Sequence, residues 1–280
     1  MKKLIVSDSS ANLYRDERSY FTPVPMKIIA GEKEYADDET LDVAGMLNDL
    51  QKYSGPSGSS CPSVGDWLRA FGEAEEVFGI SITSRLSGCY NAACIAAEEY
   101  MSEHAGRKVF ILDSLTTGPE MELLVEKCRE LIEAGYAFDE IKDRITEYLK
   151  RTRLLFSLES LSNFARNGRV RPSLAAIANL IGIRIVGRAS SEGELEPLHK
   201  CRGEERAIGS IFSEMKAHGF AGGRVRISHC FNPRAAEALK NLILKNFPGA
   251  DIATEICTGL CSYYAEKGGL IIGYEDAGAV

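Results

Sequence analysis

Short apolar runs recur along the chain, each followed by small polar residues and then by a segment of helical period. Leu4-Ile5-Val6 leads into Ser7-Asp8-Ser9-Ser10, Val77 to Ile82 into Thr83 to Gly88, and Val109 to Leu112 into Asp113 to Gly118. Continuous rather than alternating hydrophobicity suits strands covered on both faces, and its alternation with helical segments predicts parallel βαβ units. From Glu120, apolar residues at Leu124, Val125, Cys128, Leu131 and Ile132 follow helical spacing, with Gly135 as the stop. Phe138, Ile141, Ile145, Tyr148 and Leu149 form a second helical stripe. Asn232-Pro233 reads as a cap and a first-turn proline, opening a helix that runs to Lys245 and ends before Pro248-Gly249.

The second half has a different rhythm. Ile183 to Val186 and Leu195 to Lys200 are strand-like on either side of Ser190-Ser191-Glu192-Gly193, a hairpin signal. Further strands are expected at Arg224 to His229, Asp251 to Ile256 and Leu270 to Tyr274. The pattern predicts an α/β protein of two domains. An N-terminal parallel-sheet α/β/α (Rossmann-like) domain would span residues 1–155, and a C-terminal α/β domain with a mixed sheet residues 156–280, the change falling near 152–158. No flexible linker or internal repeat marks it.

A chain of 280 residues can bury a sizeable core without a metal or disulfide staple. With 33 Lys plus Arg against 40 Asp plus Glu, the net charge is -7, which argues against nucleic acid as a partner. At the amino terminus, Lys2-Lys3 is followed by only three apolar residues, where a secretory signal needs about 7. No run approaches the ~18 apolar residues of a membrane span. The expected location is cytoplasmic. Among the eight cysteines no pair has CxxC spacing, and no histidine lies near Cys257 and Cys261 or Cys89 and Cys94. Most of them read as small buried hydrophobes in a reducing compartment rather than zinc ligands or disulfides.

Candidate chemistry sits in four hydroxyl-rich turns: Ser7 to Ser10, Ser57 to Ser63, Thr83 to Gly88 and Asp113 to Gly118. Three follow expected strands at their carboxyl ends, the edge of a parallel sheet where ligand crevices form. Two also have helix-start chemistry. Ser60 stands two before Pro62, ahead of a helix through Val64, Trp67, Leu68 and Phe71, and Ser87 precedes a helix with Tyr90, Ala93, Ala97 and Tyr100 inward. Free N–H groups at a helix start hold an anion, and serine hydroxyls add neutral donors suited to a singly charged carboxylate. Polyphosphate signatures are missing: there is no GxxxxGK[ST] or GxGxxG, and Arg85 is the only cation in these turns. Ordinary helix capping is the competing explanation for each turn.

No GxSxG elbow is present, and no serine has a recognisable triad context. His104 and His218 fall in polar stretches. His229, ending an expected strand, is the one histidine placed near a crevice, and a satisfied core histidine explains it more simply. Sequence-adjacent carboxylates such as Asp37-Asp38 and Glu98-Glu99 read as solvated faces. Arg166-Asn167-Gly168-Arg169-Val170-Arg171 concentrates three arginines around an Asn-Gly turn, either an exposed loop or a patch for phosphate or an acidic partner.

Taken in order, these turns resemble the DegV family of bacterial lipid-binding proteins. Ile5-Val6-Ser7-Asp8-Ser9-Ser10 is similar to that family's strand followed by T-D-S-S, and Val24-Pro25 with Tyr35-Ala36-Asp37 resembles its V-P-L and Y-x-D segments. Ser59-Ser60-Cys61-Pro62-Ser63 stands where the family has T-S-Q-P-S, Ser84 to Tyr90 where it has S-x-L-S-G-T-Y, and Asp113-Ser114 where it has D-S. Leu161 to Val170 resembles L-x-x-L-x-x-G-G-R-I, with Asn167 for the first glycine. Lys200-Cys201-Arg202-Gly203 and Ile227-Ser228-His229 fit as well, so the likeness runs from residue 3 to about 275. One departure bears on headgroup geometry. The family's closing H-T-G-P-G turn is Ala265-Glu266-Lys267-Gly268-Gly269 here, so a hydroxyl of Tyr263 or Tyr264 is expected to stand in for the histidine.

The resemblance implies a DegV-like fold holding one long-chain fatty acid, with no cofactor. Its carboxylate would bind Ser60 and Ser87, helped by Ser59, Gly88 and the helix start that follows, with Ser9 and Ser114 in the neighbouring turns. It further implies an ATP-dependent kinase subunit as partner, which phosphorylates the carried carboxylate to an acyl phosphate. Arg169, with Arg171, is expected at the phosphate or kinase interface, and transient membrane contact is compatible with a lipid carrier. Two other readings stay open: a stand-alone acyl- or phosphoryl-transferase using Ser60 or Ser87 as nucleophile, and a sensor of another small carboxylate.

Overall fold

The computed structural model describes residues 2–14, 20–170 and 182–277. The expected apolar runs form a four-stranded parallel sheet of order β2-β1-β6-β7, comprising β1 (Lys3–Asp8), β2 (Phe21–Val24), β6 (Glu76–Ser81) and β7 (Lys108–Asp113). Every residue of β6 is buried, as a strand covered on both faces requires. Side chains alternate between two cores. Leu4, Val6 and Val77 pack with Trp67, Phe71, Ala93 and Tyr100 from α2 (Val64–Phe71) and α3 (Cys89–Glu103). Ile5, Phe78 and Ile80 face the opposite way, toward Leu124 and Val125 of α4 (Pro119–Glu133) and Ile141 of α5 (Phe138–Leu149).

The second sheet has six strands in the order β10-β9-β8-β13-β11-β12. These are β8 (Thr152–Leu158), β9 (Ile183–Ala189), β10 (Leu195–Arg202), β11 (Arg224–His229), β12 (Asp251–Ile256) and β13 (Leu270–Glu275). β11 and β12 run parallel and all other pairs are antiparallel, so the sheet is mixed as expected. Leu155 joins the core formed with α7 (Glu204–Ala217) and α8 (Pro233–Asn246). Leu154, Phe156 and Leu158 point the other way and join the core that holds Ile5 and Phe78. The largest apolar cluster therefore draws on both sheets.

Helix α4 lies between the two sheets, which is why its first two turns are buried all round, Glu120 and Glu122 included. Arg226 of β11 grips Glu126 in a two-pronged pair at 2.8 and 2.9 Å, and Arg224 does the same to Glu130. At its first turn the fully buried Glu120 accepts hydrogen bonds from the Thr116 and Thr152 hydroxyls. Burial pushes its carboxyl up to about 7. A raised carboxyl pKa makes the folded state bind the extra proton, so this group's stabilisation is full below the ordinary carboxylate range. It is lost as pH rises through about 7. Glu120→Gln is therefore expected to flatten the fall of stability between about pH 5 and about pH 8, measured by denaturant unfolding across that range.

A third sheet, β4-β3-β5, has no counterpart among the expected elements. It joins β3 (Lys27–Ala30) to β4 (Lys33–Ala36) and β5 (Ser57–Ser60), all antiparallel. Ser57 to Ser60 was expected as a turn, and serine has little strand preference. Pairing with β3, in the register Ile28 to Ser59 and Lys27 to Ser60, makes it a strand. The helix start is also corrected: α2 begins at Val64 and is capped by Ser63 in a reciprocal box with Asp66. Ser60 carries no capping duty. The described residues also form helix α1 (Val43–Lys52), the one-turn α6 (Ser162–Arg166) and α9 (Gly259–Ala265). Among the described residues no helix is long and apolar enough to cross a membrane.

Candidate functional site

A cavity of about 230 Å³ opens where the carboxyl ends of the first sheet meet the second sheet and α9. Its walls are mostly apolar: Met26, Ile82, Leu154, Phe156, Leu158 and Ile271 among them. The alternation of β8 explains three of these, since Leu154, Phe156 and Leu158 share one face of that strand. The polar lining consists of Ser59, Ser60, Cys61, Ser87, Gly88, Thr117, Arg169 and Tyr264.

These polar groups are linked to one another. The Ser59 and Tyr264 hydroxyls are 2.7 Å apart, and Tyr264 stacks on Phe164 of α6 with centroids at 4.6 Å. Burial, before any neighbour, raises the Tyr264 phenol, so it stays a neutral donor. Arg169 Nε donates to the Leu86 carbonyl at 3.3 Å, and its guanidinium also reaches the Asn167 carbonyl. Gly168, with φ of +67°, supplies the left-handed turn that swings Arg169 inward. Ser87 Oγ accepts from the Cys89 amide at 3.3 Å, at the start of α3. Hydroxyls, one guanidinium and a helix start thus meet at one end of an apolar cavity, an arrangement suited to an amphiphile with a single small anionic head.

Of the four hydroxyl-rich turns, three reach this cavity, the last of them through Thr117 alone, and the first braces them. Asp8 is buried, accepts from the Ile82 amide at 2.8 Å and caps Ser10, tying the first turn to the end of β6. Ser9, expected at the ligand, is spent inside the protein instead: its Oγ accepts from the Met26 amide at 3.1 Å. Ser114 is likewise buried and bonded to Thr116 of its own turn. Asp113 accepts from the Ser84 and Leu115 amides and so fixes the third turn. That fourth turn contributes Thr117, a lining residue not singled out in advance, although it lies in the same hydroxyl run.

The tyrosine pair divides. Tyr264 lines the cavity, while Tyr263 is fully buried and bonded to Ser57 and Asn167, a structural tie. The arginine cluster also divides: Arg166 is exposed, Arg169 turns into the cavity, and Arg171 lies outside the described residues. Among the described residues no histidine lines the cavity. His229 serves its own turn, where Nδ1 accepts from the Asn232 amide.

Asp37 corrects another expectation. It is buried rather than part of a solvated acidic face, because α9 needs it: Gly259 and Leu260 amides donate to its two oxygens at 2.6 and 3.0 Å, and Tyr14 adds a third bond. Gly259 has to be glycine here, since a Cβ would stand 2.6 Å from Asp37 Oδ1 and 2.4 Å from Leu41. Through α9 this anchor sets Leu260, Cys261 and Tyr264 in the cavity wall.

An apolar cavity with a hydroxyl-lined end, set between a parallel and a mixed sheet, defines a pocket for a small amphiphile. The DegV family model, described as "Uncharacterised protein, DegV family", matches residues 2–276, and the chain belongs to that family. A DegV domain-containing protein of Streptococcus gordonii is 39% identical over 276 residues, covering 97% of this chain and 98% of the relative. Two solved structures are similar at a level that includes sequence. One is a Eubacterium eligens DegV family protein loaded with heptadecanoic acid, 38% identical, TM-score 0.96, covering 98% of this chain and 99% of that one. The other is the Streptococcus pneumoniae Fatty Acid Kinase (Fak) B3 protein loaded with linoleic acid, 37% identical, TM-score 0.97, covering 99% and 100%.

Proposed function

We propose that this chain is a cytoplasmic carrier of one long-chain fatty acid, which it presents to an ATP-dependent kinase subunit for conversion to an acyl phosphate. The observation that carries the reading is the polarity of the cavity, with hydroxyls and a cation at one end and apolar walls elsewhere. Similar proteins loaded with heptadecanoic and linoleic acid support it, and the kinase name of the second supports the partner. Eight free cysteines suit a reducing compartment.

In this reading Ser60, Ser87 and the Gly88 backbone receive the carboxylate, with Ser59 and Tyr264 forming a hydroxyl relay beside them. Each bond from a neutral donor to the carboxylate is worth roughly 1–3 kcal/mol. Neutral hydroxyls hold the head without neutralising it, leaving a nucleophilic oxygen for a phosphoryl donor. Transfer to Ser60 or Ser87 would need a base beside the serine, and among the described residues of the lining none is a histidine. A methyl ester of the same acid should bind at least tenfold more weakly than the acid in a displacement titration. Equal affinity would remove the carboxylate from the account.

Arg169 is assigned to the phosphoryl step, its guanidinium lining the cavity beside the Leu86 carbonyl. Arg169→Ala is expected to leave fatty-acid retention within about twofold while cutting phosphorylation by the kinase subunit about tenfold, ~1.4 kcal/mol. The paired readouts are bound lipid by mass spectrometry and acyl phosphate formed. An emptied cavity would instead assign the arginine to the carboxylate.

A further inference from the structure

One reactive group at the cavity mouth has no part in the reading above. Cys61 follows Ser60, is exposed and lines the cavity. Its sulfur rests against the start of α3, where a Cβ placed on Gly88 would stand 3.6 Å from it. The adjoining residue, Cys89, is fully buried, and of the groups around the Cys61 thiol it acts most strongly on its ionisation. The two cysteines therefore come from separate segments, the β5–α2 connection and the first turn of α3, and meet between Ser60 and Ser87.

The pair is asymmetric. The Cys89 hydrogen bond holds the Cys61 thiol below its ordinary ionisation range against the effect of burial, and the charge of Arg169 adds to this. That same bond and burial push Cys89 upward. Burial raises Cys94, Cys128, Cys230, Cys257 and Cys261 as well. An exposed thiol held toward ionisation beside a shielded one is the arrangement of an attacking and a resolving cysteine.

We propose that Cys61 and Cys89 are a hydroperoxide-reactive dithiol whose disulfide closes the mouth of the cavity. The Cys61 thiolate attacks the terminal oxygen of the peroxide: an S–O bond forms, the O–O bond breaks, and the leaving alkoxide takes up a proton to become an alcohol, or water when the oxidant is hydrogen peroxide. Cys89 then attacks the sulfenic sulfur, forming the S–S bond and releasing water with its own thiol proton. The two sulfurs together lose two electrons, which reduce the peroxide. The bridge pins the end of the β5–α2 connection onto α3 across the gap between the two serines. Slower ligand exchange rests on the fatty-acid reading; formation of the bridge does not.

The test uses the full chain and hydrogen peroxide. Peptide mapping without reductant should find a Cys61–Cys89 bridge, intact mass should fall by about 2 Da, and dithiothreitol should reverse both. Cys89→Ser should stop at a Cys61 sulfenic acid, about 16 Da heavier and captured by dimedone, and Cys61→Ser should abolish the fast reaction. A bridge mapped elsewhere, or a Cys61→Ser protein that reacts as fast as the parent, overturns the proposal. Oxidised protein should release a preloaded fatty acid to acceptor vesicles at least tenfold more slowly than reduced protein. An unchanged release rate with the bridge in place overturns the closing of the mouth. Failure to hold any fatty acid would instead defeat the carrier reading, and the mass measurement would still report the bridge.

Discussion

Asp37→Ala is expected to destabilise the protein by ~3–5 kcal/mol, the largest effect of a single side chain at this site. The substitution leaves the Gly259 and Leu260 amides and the Tyr14 hydroxyl without the oxygens they now use. Unsatisfied buried donors cost about 1–3 kcal/mol each, and the lost bonds share one carboxylate, so the total falls short of a simple sum. In a chain of this size such a loss corresponds to a drop in Tm of roughly 10 °C. Because α9 carries Leu260, Cys261, Tyr264 and Ala265 into the cavity wall, ligand retention should fall together with stability. Asp37→Asn, which keeps one acceptor, should lose less. Thermal unfolding of the two variants without ligand checks the order, and a change below about 1 kcal/mol in Asp37→Ala would show that α9 is held by its apolar contacts alone.

The second large effect concerns the head of the ligand. Ser60→Ala and Ser87→Ala should each weaken fatty-acid retention by roughly 5- to 150-fold, corresponding to ~1–3 kcal/mol. The double variant should lose more than either single one but less than their product, because both hydroxyls serve the same small group. Ser60 is not committed to the fold, since α2 is capped by Ser63 and Ser60 ends an edge strand of a three-stranded sheet, and Ser87 makes a single long bond, 3.3 Å, to the Cys89 amide. Thermal unfolding without ligand should therefore be nearly unchanged. Off-rates of a preloaded acid from the parent and the three variants provide the comparison, and retention unaffected in the double variant would remove both hydroxyls from the site.

The parts of the fold that were legible are those whose burial is uniform. β1 and β6 carry continuous apolar runs because helices cover both faces, and α5 and α8 carry plain one-sided stripes. The third sheet was not legible, since Lys33-Glu34-Tyr35-Ala36 and Ser57-Gly58-Ser59-Ser60 have no apolar pattern and become strands only by pairing with Lys27 to Ala30. Site residues followed the same division. Ser59, Ser60, Ser87 and Gly88 were visible as hydroxyl-rich segments, and the cavity contains them. Ser9 and Ser114 looked equivalent in sequence, yet their hydroxyls are consumed by Met26 and Thr116, a distinction that depends on contacts between distant segments. Tyr263 and Tyr264 are neighbours about 100° apart on a helix, so only one of them could face the cavity. The apolar lining could be read as strand and helix but not as cavity, because β8 has apolar residues on both faces and the chain alone does not say which face is left unfilled.

Native mass spectrometry of the purified chain tests the central claim most directly, followed by solvent extraction and identification of whatever is released. The expected spectrum contains a species heavier than the bare chain by the mass of one long-chain fatty acid, lost on extraction and recovered as the free acid. A chain that stays empty when offered such acids, or one that instead gains a covalent acyl group on Ser60 or Ser87, would contradict the account.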